Sequence, residues 1–211
     1  MCYYVDQKST RAEVKELFNV GVDKADQFYT GTFVNGFEHP NLPIITNDKP
    51  DIVTTNSTWG LMPSWGKEKD ILLRNSKLNA RIETLNEKAS YRNITSKRCL
   101  ILSSSYYEWR WLDEKGKKKE KYNIFSQSEE IFGFAGLYDS WANPLNGEVL
   151  NSFTMVTTRA NELMTYIHNH KMRMPIIIKR EDHQKWLDPK SDISEFAYPK
   201  YDTSIVAFPA A

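Results

Sequence analysis

The 211-residue chain has the hydrophobic (40%) and charged (26%) content of an ordinary soluble globular protein, and its length predicts one domain spanning residues 1–211. A formal net charge of +1 excludes a globally basic protein that coats DNA, and the lack of an apolar run of about 20 residues excludes a transmembrane helix. The two cysteines are too few for a disulfide scaffold and lack the paired spacing of a zinc site. Because the sequence also shows no secretory signal, we expect the protein to be cytoplasmic, where cysteines stay reduced.

The first half of the chain predicts one helix and several short strands. Thr10 and Glu13 form a capping box ahead of apolar residues at helical spacing. Residues 20–50 are rich in Gly, Pro and Asn and predict loops around short strands. The elements that follow are a β-branched strand at 51–62, an exposed loop at 63–70, and, at 80–89, a short helix or an extended segment leading into one.

Longer strands dominate the second half. The segment 98–112 predicts a strand with a possible break near its serines, followed by a lysine-rich hairpin tip at 113–121, to which we assign no role. Thr158 is expected to cap a helix over 160–168. The other elements are strands at 122–126, 131–141, 150–160 and 174–179 and a short helix at 180–187. Many short strands, few helices and 13% aromatic residues predict an α+β fold dominated by mostly antiparallel strands.

The most unusual position is Cys2, directly behind Met1. Aminopeptidases remove the first methionine when the next side chain is small, which leaves a residue with both a free α-amine and a thiol. Such a 1,2-aminothiol reacts with aldehydes as no internal residue does, provided that its thiol is accessible and can ionise. The alternative interpretation is a small hydrophobic residue that starts a strand.

Two positions are candidates for proton transfer. Glu108 lies among aromatic residues, which desolvate a carboxylate and raise its pKa; the alternative is a strand residue that points to solvent. His168 and His170 lie just before a core strand, and histidine titrates close to neutral pH; the alternative is a polar loop.

Five positions suggest contacts with a nucleic acid. The amide of Asn79 and the guanidinium of Arg81 suit a reacting group and a phosphate, although the spacing alone favours a cap and a solvated helix face. Lys171 and Arg173 add local positive charge. Trp65 lies beside lysines on a Pro/Gly loop and could stack on bases, or fold back onto the core.

A series of motifs occurs in one order along about residues 1–180 of the chain. It consists of Met-Cys at the start, then NARIET, RCLILSSSYYEW, FGFAGLYDSW, SFTMVTTRA, and finally IHN followed by RMP. In order and context, these motifs resemble the SOS response-associated peptidase (SRAP) family of abasic-site sensor proteins. The resemblance implies a barrel-like, β-dominant domain with a few peripheral helices.

The resemblance also implies a function and a set of catalytic residues. Cys2, freed of Met1, would trap the ring-opened aldehyde of an abasic site in single-stranded DNA as a thiazolidine crosslink. Glu108 would transfer protons during ring closure and during removal of the methionine. His168 would protonate the leaving oxygen or support opening of the sugar ring, and Asn79 would orient Cys2 and the sugar.

Further expectations concern partners. Arg81 and Arg173 match phosphate-contacting positions of the family, and Trp65 and Lys171 are added as DNA contacts because of their own surroundings. The expected partner is single-stranded DNA with abasic sites, and neither a metal, a cofactor nor a membrane is implied. We expect a monomer in the cytoplasm that associates with the nucleoid when DNA is damaged.

The chain departs from the family pattern at three places. The family usually continues Met-Cys-Gly-Arg, whereas Tyr3 and Tyr4 stand here, so an expected phosphate-binding arginine is missing and Tyr4 can only hydrogen-bond or stack. Extra residues before RMP leave His168 and His170 as alternatives, with His168 preferred because an isoleucine precedes it. The sequence also ends without an extended basic segment, which predicts weaker DNA binding.

Two other functions remain open on the sequence. One is a thiol hydrolase with Cys2 as its N-terminal nucleophile, His168 as its base and an amide or peptide as its substrate. The other is a single-strand binding module that forms no covalent bond.

Overall fold

The computed structural model describes residues 2–210. The α-helices in this range are short: α1 (Arg11–Phe18), α2 (Glu162–Ile167) and α3 (His183–Leu187). The strands in chain order are β1 (Tyr4–Gln7), β2 (Gly21–Val22), β3 (Gly31–Asn35), β4 (Ile44–Thr46), β5 (Lys49–Thr54), β6 (Thr58–Trp59), β7 (Asn79–Arg81), β8 (Arg98–Ser103), β9 (Ser105–Trp111), β10 (Lys119–Ser126), β11 (Phe132–Ala142), β12 (Val149–Arg159), β13 (Arg173–Pro175), β14 (Ile177–Ile178) and β15 (Ile205–Pro209). Within residues 2–210, no helix is long and apolar enough to cross a membrane.

These strands form two sheets. The smaller sheet has five strands in the order β15-β10-β9-β1-β3, and all of its neighbouring pairs are antiparallel. The larger sheet has ten strands, with a main path β13-β12-β11-β8-β4-β5-β2; β14 joins β11, and β6 and β7 join β12. The pairs β2-β5, β6-β12 and β7-β12 are parallel. The predicted α+β fold, dominated by antiparallel strands, is confirmed.

One of two hydrophobic clusters fills the space between the sheets. It combines Val5 and Tyr106 from the small sheet with Phe134 and Phe153 from the large one, and it includes Cys2. The second cluster contains residues of α1 and α3 packed with side chains of the large sheet. Burying the large apolar side chains supplies most of the driving force for bringing the two sheets together. Cys2 is consequently part of the interior.

The predicted capping box at the start of α1 is confirmed. The Glu13 backbone N–H donates to Thr10 Oγ1 over 3.2 Å, and the Thr10 backbone N–H donates to Glu13 Oε2 over 2.7 Å. These two bonds satisfy N–H groups that the first turn of a helix leaves without partners. The helix ends at Asn19, which adopts the left-handed conformation of a C-cap at φ 52°.

Two long predicted strands are each divided. Residues 98–112 form β8 and β9, which lie in different sheets, because the chain turns at Ser104, whose N–H donates to the Asp6 carbonyl. Residues 174–179 are divided between β13, which pairs with β12, and β14, which pairs with β11. Between these two strands, Ile176 donates to the Val156 carbonyl and accepts from the N–H of Ala135. The break expected near the serines of 98–112 is confirmed, whereas the change of pairing partner was not predicted, because each half is equally strand-like.

Two further predictions about local structure need correction. Thr158 does not cap a helix: it lies in β12, and Asn161 caps α2 by accepting the N–H of Met164 over 3.0 Å. The segment 80–89 contains no α-helix; its beginning belongs to β7, and a short 3₁₀ turn follows at Ile82–Thr84. In both cases, pairing with the large sheet holds the chain extended beyond the point at which a helix was expected.

The buried carboxylate of Asp6 organises the centre of the small sheet. It accepts hydrogen bonds from the Phe33 N–H over 2.7 Å and from the hydroxyls of Ser105 and Tyr107, each over 3.0 Å, and it pairs with Lys8 over 2.8 Å. Phe33 has a φ of 52°, a strained value for a side chain of this size. Burial alone would raise the pKa of Asp6, but these hydrogen bonds, that of Lys8 foremost, hold it below its ordinary value.

We expect Asp6→Asn to lower the free energy of unfolding by about 2 kcal/mol, since an amide cannot accept all four contacts. Because the pKa of Asp6 is lower in the folded state, the stabilisation is complete above the unfolded value of about 3.9 and is lost as the pH falls through the folded value. In urea denaturation, the free energy of unfolding of the variant should therefore be lower than that of the wild type at neutral pH. This difference should narrow as the pH becomes acidic. Asp51→Asn, at an exposed position of β5, is the matched control and should cause no such deficit.

Candidate active site and nucleic-acid interface

Cys2 lies two residues before the start of β1, and its side chain is fully buried, at 0% exposure. Its Sγ lies 3.7 Å from the Tyr4 carbonyl oxygen. Burial, followed by the nearby charge of Glu108, raises the pKa of the thiol well above its ordinary value. The expectation of an accessible, ionisable thiol is thus not met in this structure.

Asn79 fixes the backbone of Cys2 from the large sheet. Its Nδ2 donates to the Cys2 carbonyl oxygen over 2.8 Å. Asn79 is the first residue of β7, and the parallel pairing of β7 with β12 brings it opposite Met155. The side-chain Oδ1 of Asn79 is buried and has no hydrogen-bond partner among the described residues. An orphaned buried acceptor is costly, and here it lies at the position to which the sequence assigns an orienting role.

Glu108 faces the same interior region from the small sheet. It lies in β9, where Tyr107 and Trp109 alternate to the opposite face, so that its carboxylate is directed inward and is almost fully buried. Burial raises the pKa of Glu108. The desolvated carboxylate predicted from the sequence is therefore present, and the interpretation of Glu108 as a solvent-facing strand residue is wrong.

His168 caps the end of α2 and lies beside Glu108. Its Nε2 is 3.8 Å from Glu108 Oε2, and its Nδ1 lies 2.7 Å from the Arg173 carbonyl oxygen. Nδ1 also lies 3.3 Å from the Arg173 backbone nitrogen, so the Arg173 backbone holds this side of the ring and leaves Nε2 facing Glu108. Burial lowers the pKa of His168 to about 4, so that the imidazole is neutral at neutral pH.

The structure distinguishes the two neighbouring histidines. His170 stacks on Trp111, with ring centroids 3.6 Å apart and planes at 9°, whereas His168 contacts Glu108. The extra residues between His168 and RMP form a turn in which the N–H of Met172 donates to the His168 carbonyl over 2.8 Å. The geometry thus brings His168 into the cluster and leaves His170 outside it.

Arg173 is buried and forms an ion pair with the more exposed Glu83. Its Nη1 and Nη2 each lie 2.8 Å from a Glu83 carboxylate oxygen, and its Nη2 also donates to the Thr157 carbonyl over 2.7 Å. Burial would raise the pKa of Glu83, but the hydrogen bonds of Arg173 keep it low. This fork ties β13 to the turn that follows β7. Arg173 therefore has a structural partner, and its contact with DNA stays a prediction.

The other predicted DNA contacts are exposed. Arg81 lies in β7, two residues after Asn79, and Lys171 is close enough to Glu108 for its charge to lower the pKa of that carboxyl slightly against the effect of burial. Trp65 is 56% exposed on a loop whose neighbouring backbone is held by Asp139 and Trp141 of β11. Solvent access allows all three to meet a ligand, and their roles stay predictions.

Sequence reasoning assigned no role to Tyr3 and Tyr106, which border the cluster. Burial and the nearby Glu108 and Cys2 raise the pKa of both phenols. Tyr3 also packs on Phe37 with ring centroids 4.8 Å apart. The adjacency of Tyr3 to Cys2, and of Tyr106 to the glutamate motif, was the only available signal, and adjacency does not tell which face of a strand a side chain occupies.

Comparisons with known proteins agree with this arrangement. The chain is 39% identical over 185 residues to the abasic site processing protein YoqW of Bacillus subtilis, covering 83% of this chain and 79% of that protein. It is 32% identical over 163 residues to the abasic site processing protein HMCES of Gallus gallus, covering 67% of this chain and 47% of that protein. A solved structure of a protein from Bacteroides thetaiotaomicron superposes with a TM-score of 0.89 at 33% identity, covering 100% of this chain and 92% of that one.

The two-sheet fold therefore has a counterpart over the whole of this chain, and related sequences cover most of it. On this basis the chain belongs to the SOS response associated peptidase (SRAP) family, whose model matches residues 1–208.

Proposed function

We propose that this protein processes abasic sites in single-stranded DNA by forming a covalent crosslink through Cys2 after Met1 is removed. The observation that carries the proposal is the packing of the Cys2 backbone against Asn79, next to the buried Glu108 and His168. Relatives that share 39% and 32% of their aligned residues with the chain are named abasic site processing proteins. An abasic sugar in its open form presents an aldehyde, the group with which an N-terminal aminothiol reacts.

In this proposal the reaction proceeds in three steps, which are addition of the amine, loss of water and ring closure. The freed α-amine, with an ordinary pKa of about 7.7–8.0, adds to the aldehyde carbon and gives a carbinolamine. The carbinolamine loses its hydroxyl as water and becomes an imine. The Cys2 sulfur then adds to the imine carbon while its proton passes to the nitrogen, which closes a thiazolidine ring.

Glu108 and His168 divide the proton transfers in this scheme. Because burial raises the pKa of Glu108, its carboxyl can hold a proton nearer to neutral pH and deliver it to the departing hydroxyl. His168, with a pKa of about 4, starts neutral and accepts a proton before it can donate one to the leaving oxygen. Asn79 offers its unpartnered Oδ1 to the freed amine or to a sugar hydroxyl.

Removal of Met1 creates the α-amine that this proposal requires. Glu108, whose charge already acts on the thiol, is the residue to which we assign assistance in this cleavage.

The test combines intact-protein mass spectrometry with a denaturing gel. Purified protein should lack Met1, and incubation with an abasic single strand should give a heat-stable species with the summed mass of protein and DNA minus one water. Protein that retains Met1 and forms no such species would refute the proposal. Turnover of peptides without an adduct would support the hydrolase alternative, and DNA binding that does not survive denaturation would support the non-covalent module.

Arg81→Ala should weaken binding to damaged and intact single strands equally and reduce the slope of log affinity against log salt by about 0.7, the value for one phosphate on a single strand. Arg81 is exposed on β7, beside Asn79, so its loss should not disturb the fold. Arg11→Ala, on the exposed surface of α1, is the matched control. Fluorescence anisotropy over a range of salt concentrations gives the affinity and its salt slope. An unchanged slope would show that Arg81 does not contact a phosphate.

A further inference from the structure

The outer face of the β9–β10 hairpin carries a row of aromatic and lysine side chains. Tyr107, Trp109 and Trp111 alternate on β9, on the face opposite Glu108. In the antiparallel register, Trp109 pairs with Lys121 and Trp111 pairs with Lys119. We name these five residues, together with Tyr4 and Phe33, the lysine–aromatic ladder.

The lysines of the ladder lie over the rings. The Nζ of Lys121 is 5.1 Å from the Phe33 ring centroid and 5.9 Å from that of Tyr107. The Nζ of Lys119 is 5.3 Å from the centroid of Trp111. These are cation–π contacts at a surface where the ammonium groups remain close to water.

Phe33 provides the most accessible ring. It stacks on Tyr4 with centroids 4.6 Å apart and meets Tyr107 and Trp109 edge to face. It is nevertheless 41% exposed. The bond from its backbone N–H to the buried Asp6 holds it in its strained conformation, which indicates that the sheet is built to keep this ring on the surface. Trp111, by contrast, is covered by His170 and takes no part in stacking here.

The charge of this face is positive. The hairpin tip at 113–121 contains five lysines against three acidic residues. Glu120 pairs across the strands with Arg110, on the face opposite the two ladder lysines. Asp113 is turned into the tip, where it accepts the N–H groups of Lys117 and Lys118. The side chains that border the exposed rings of the ladder are therefore mainly cationic.

The ladder begins close to the chain start, on the face of the small sheet opposite Glu108. Tyr4 follows Cys2 by two residues and is the first residue of β1. Tyr4 and Trp109 touch edge to face, with centroids 5.1 Å apart, and so form the end of the ladder nearest to Cys2. A DNA strand whose abasic sugar is held at Cys2 would pass around the start of β1 to place its neighbouring bases against the ladder.

We propose that the lysine–aromatic ladder binds the single-stranded DNA that flanks the damaged sugar, by stacking bases on Phe33 and pairing phosphates with Lys119 and Lys121. The choice of occupant rests on the proposed function. A base that takes the ring face displaces an ammonium group, which is then free to contact a phosphate, and base–aromatic stacking is stronger than an exposed cation–π contact. Tyr4, which stands where the family usually has an arginine, supports the Phe33 ring instead of binding a phosphate.

The test uses undamaged oligothymidylate of about 16 nucleotides, the upper end of single-strand site sizes, so that no aldehyde is present. The variant Lys119→Gln/Lys121→Gln should reduce the salt slope by about 1.4 and, at low salt, weaken binding by about tenfold per lysine. Lys190→Gln/Lys200→Gln removes the same charge from exposed positions outside the ladder and should leave the slope unchanged. Equal slopes for the ladder variant and this control overturn the proposal.

A second variant separates stacking from charge. Phe33→Leu should weaken binding to oligothymidylate about fivefold or more, yet leave unchanged the binding to a chain of the same length built of tetrahydrofuran spacers, which has phosphates but no bases. The ladder variant, Lys119→Gln/Lys121→Gln, should weaken binding to both probes. If Phe33→Leu affects both probes or neither, base stacking on the ladder is refuted.

The ladder and the crosslinking reaction can fail separately. Crosslinking is measured independently with an abasic strand of about 4 nucleotides, which is too short to extend far along the ladder. A wild-type protein that crosslinks this strand, while the ladder variant binds oligothymidylate normally, overturns only the ladder. A wild-type protein that never crosslinks, but whose ladder variant loses oligothymidylate binding, overturns only the proposed function.

Discussion

Cys2→Ala is expected to abolish the heat-stable adduct with abasic single-stranded DNA. Alanine is also small enough for removal of Met1, so the variant keeps a free α-amine and loses only the sulfur. The amine can still form an imine with the aldehyde, but the imine cannot close to a thiazolidine and hydrolyses. Borohydride should therefore trap a covalent species with the variant, whereas the wild-type adduct should need no reduction.

Cys99→Ala is the matched control for this experiment. Cys99 is the second cysteine of the chain, equally buried in β8, and burial raises the pKa of its thiol as well. It lies far from the chain start in sequence and should leave crosslinking intact. A stable adduct formed by Cys2→Ala without borohydride would show that the sulfur has no part in the product, and the mechanism proposed above would be wrong.

Glu108→Gln is expected to slow adduct formation by about 100-fold or more, the lower range for removal of a general acid or base, while changing DNA affinity by less than about twofold. Glutamine retains the shape and hydrogen-bonding capacity of the side chain, and it even relieves the cost of a buried charge. The loss should therefore appear in the single-turnover rate and not in binding. It should also remove from the pH profile the ionisation that belongs to the raised pKa of Glu108.

Glu130→Gln, at an exposed position before β11, tests for a general effect of charge and should leave the rate unchanged. If Glu108→Gln lowered rate and affinity in the same proportion, Glu108 would be a structural residue. The interpretation of its buried position beside His168 as a proton-transfer pair would then fail.

Some features could be predicted from sequence because they depend on neighbouring residues. The capping box of α1 is a local exchange between Thr10 and Glu13, and the alternation of β9 places Glu108 opposite Tyr107 whatever the sheet does. Features that depend on a partner far along the chain were not predicted. The placement of the two halves of 98–112 in different sheets depends on Asp6, and the ion pair of Arg173 depends on Glu83, 90 residues away.

The amino-acid sequence by itself determined the family, the β-dominant fold class and the identity of the candidate residues, because motif order and strand periodicity are properties of the linear chain. The tertiary structure alone decided that Cys2 is buried, that His168 and not His170 faces Glu108, and that lysines of β10 cover the rings of β9. The physical reason is that burial, pKa and cross-strand contact depend on the sum of atoms that surround a group. Most of those atoms belong to residues distant in sequence, which only the packing of the two sheets brings together.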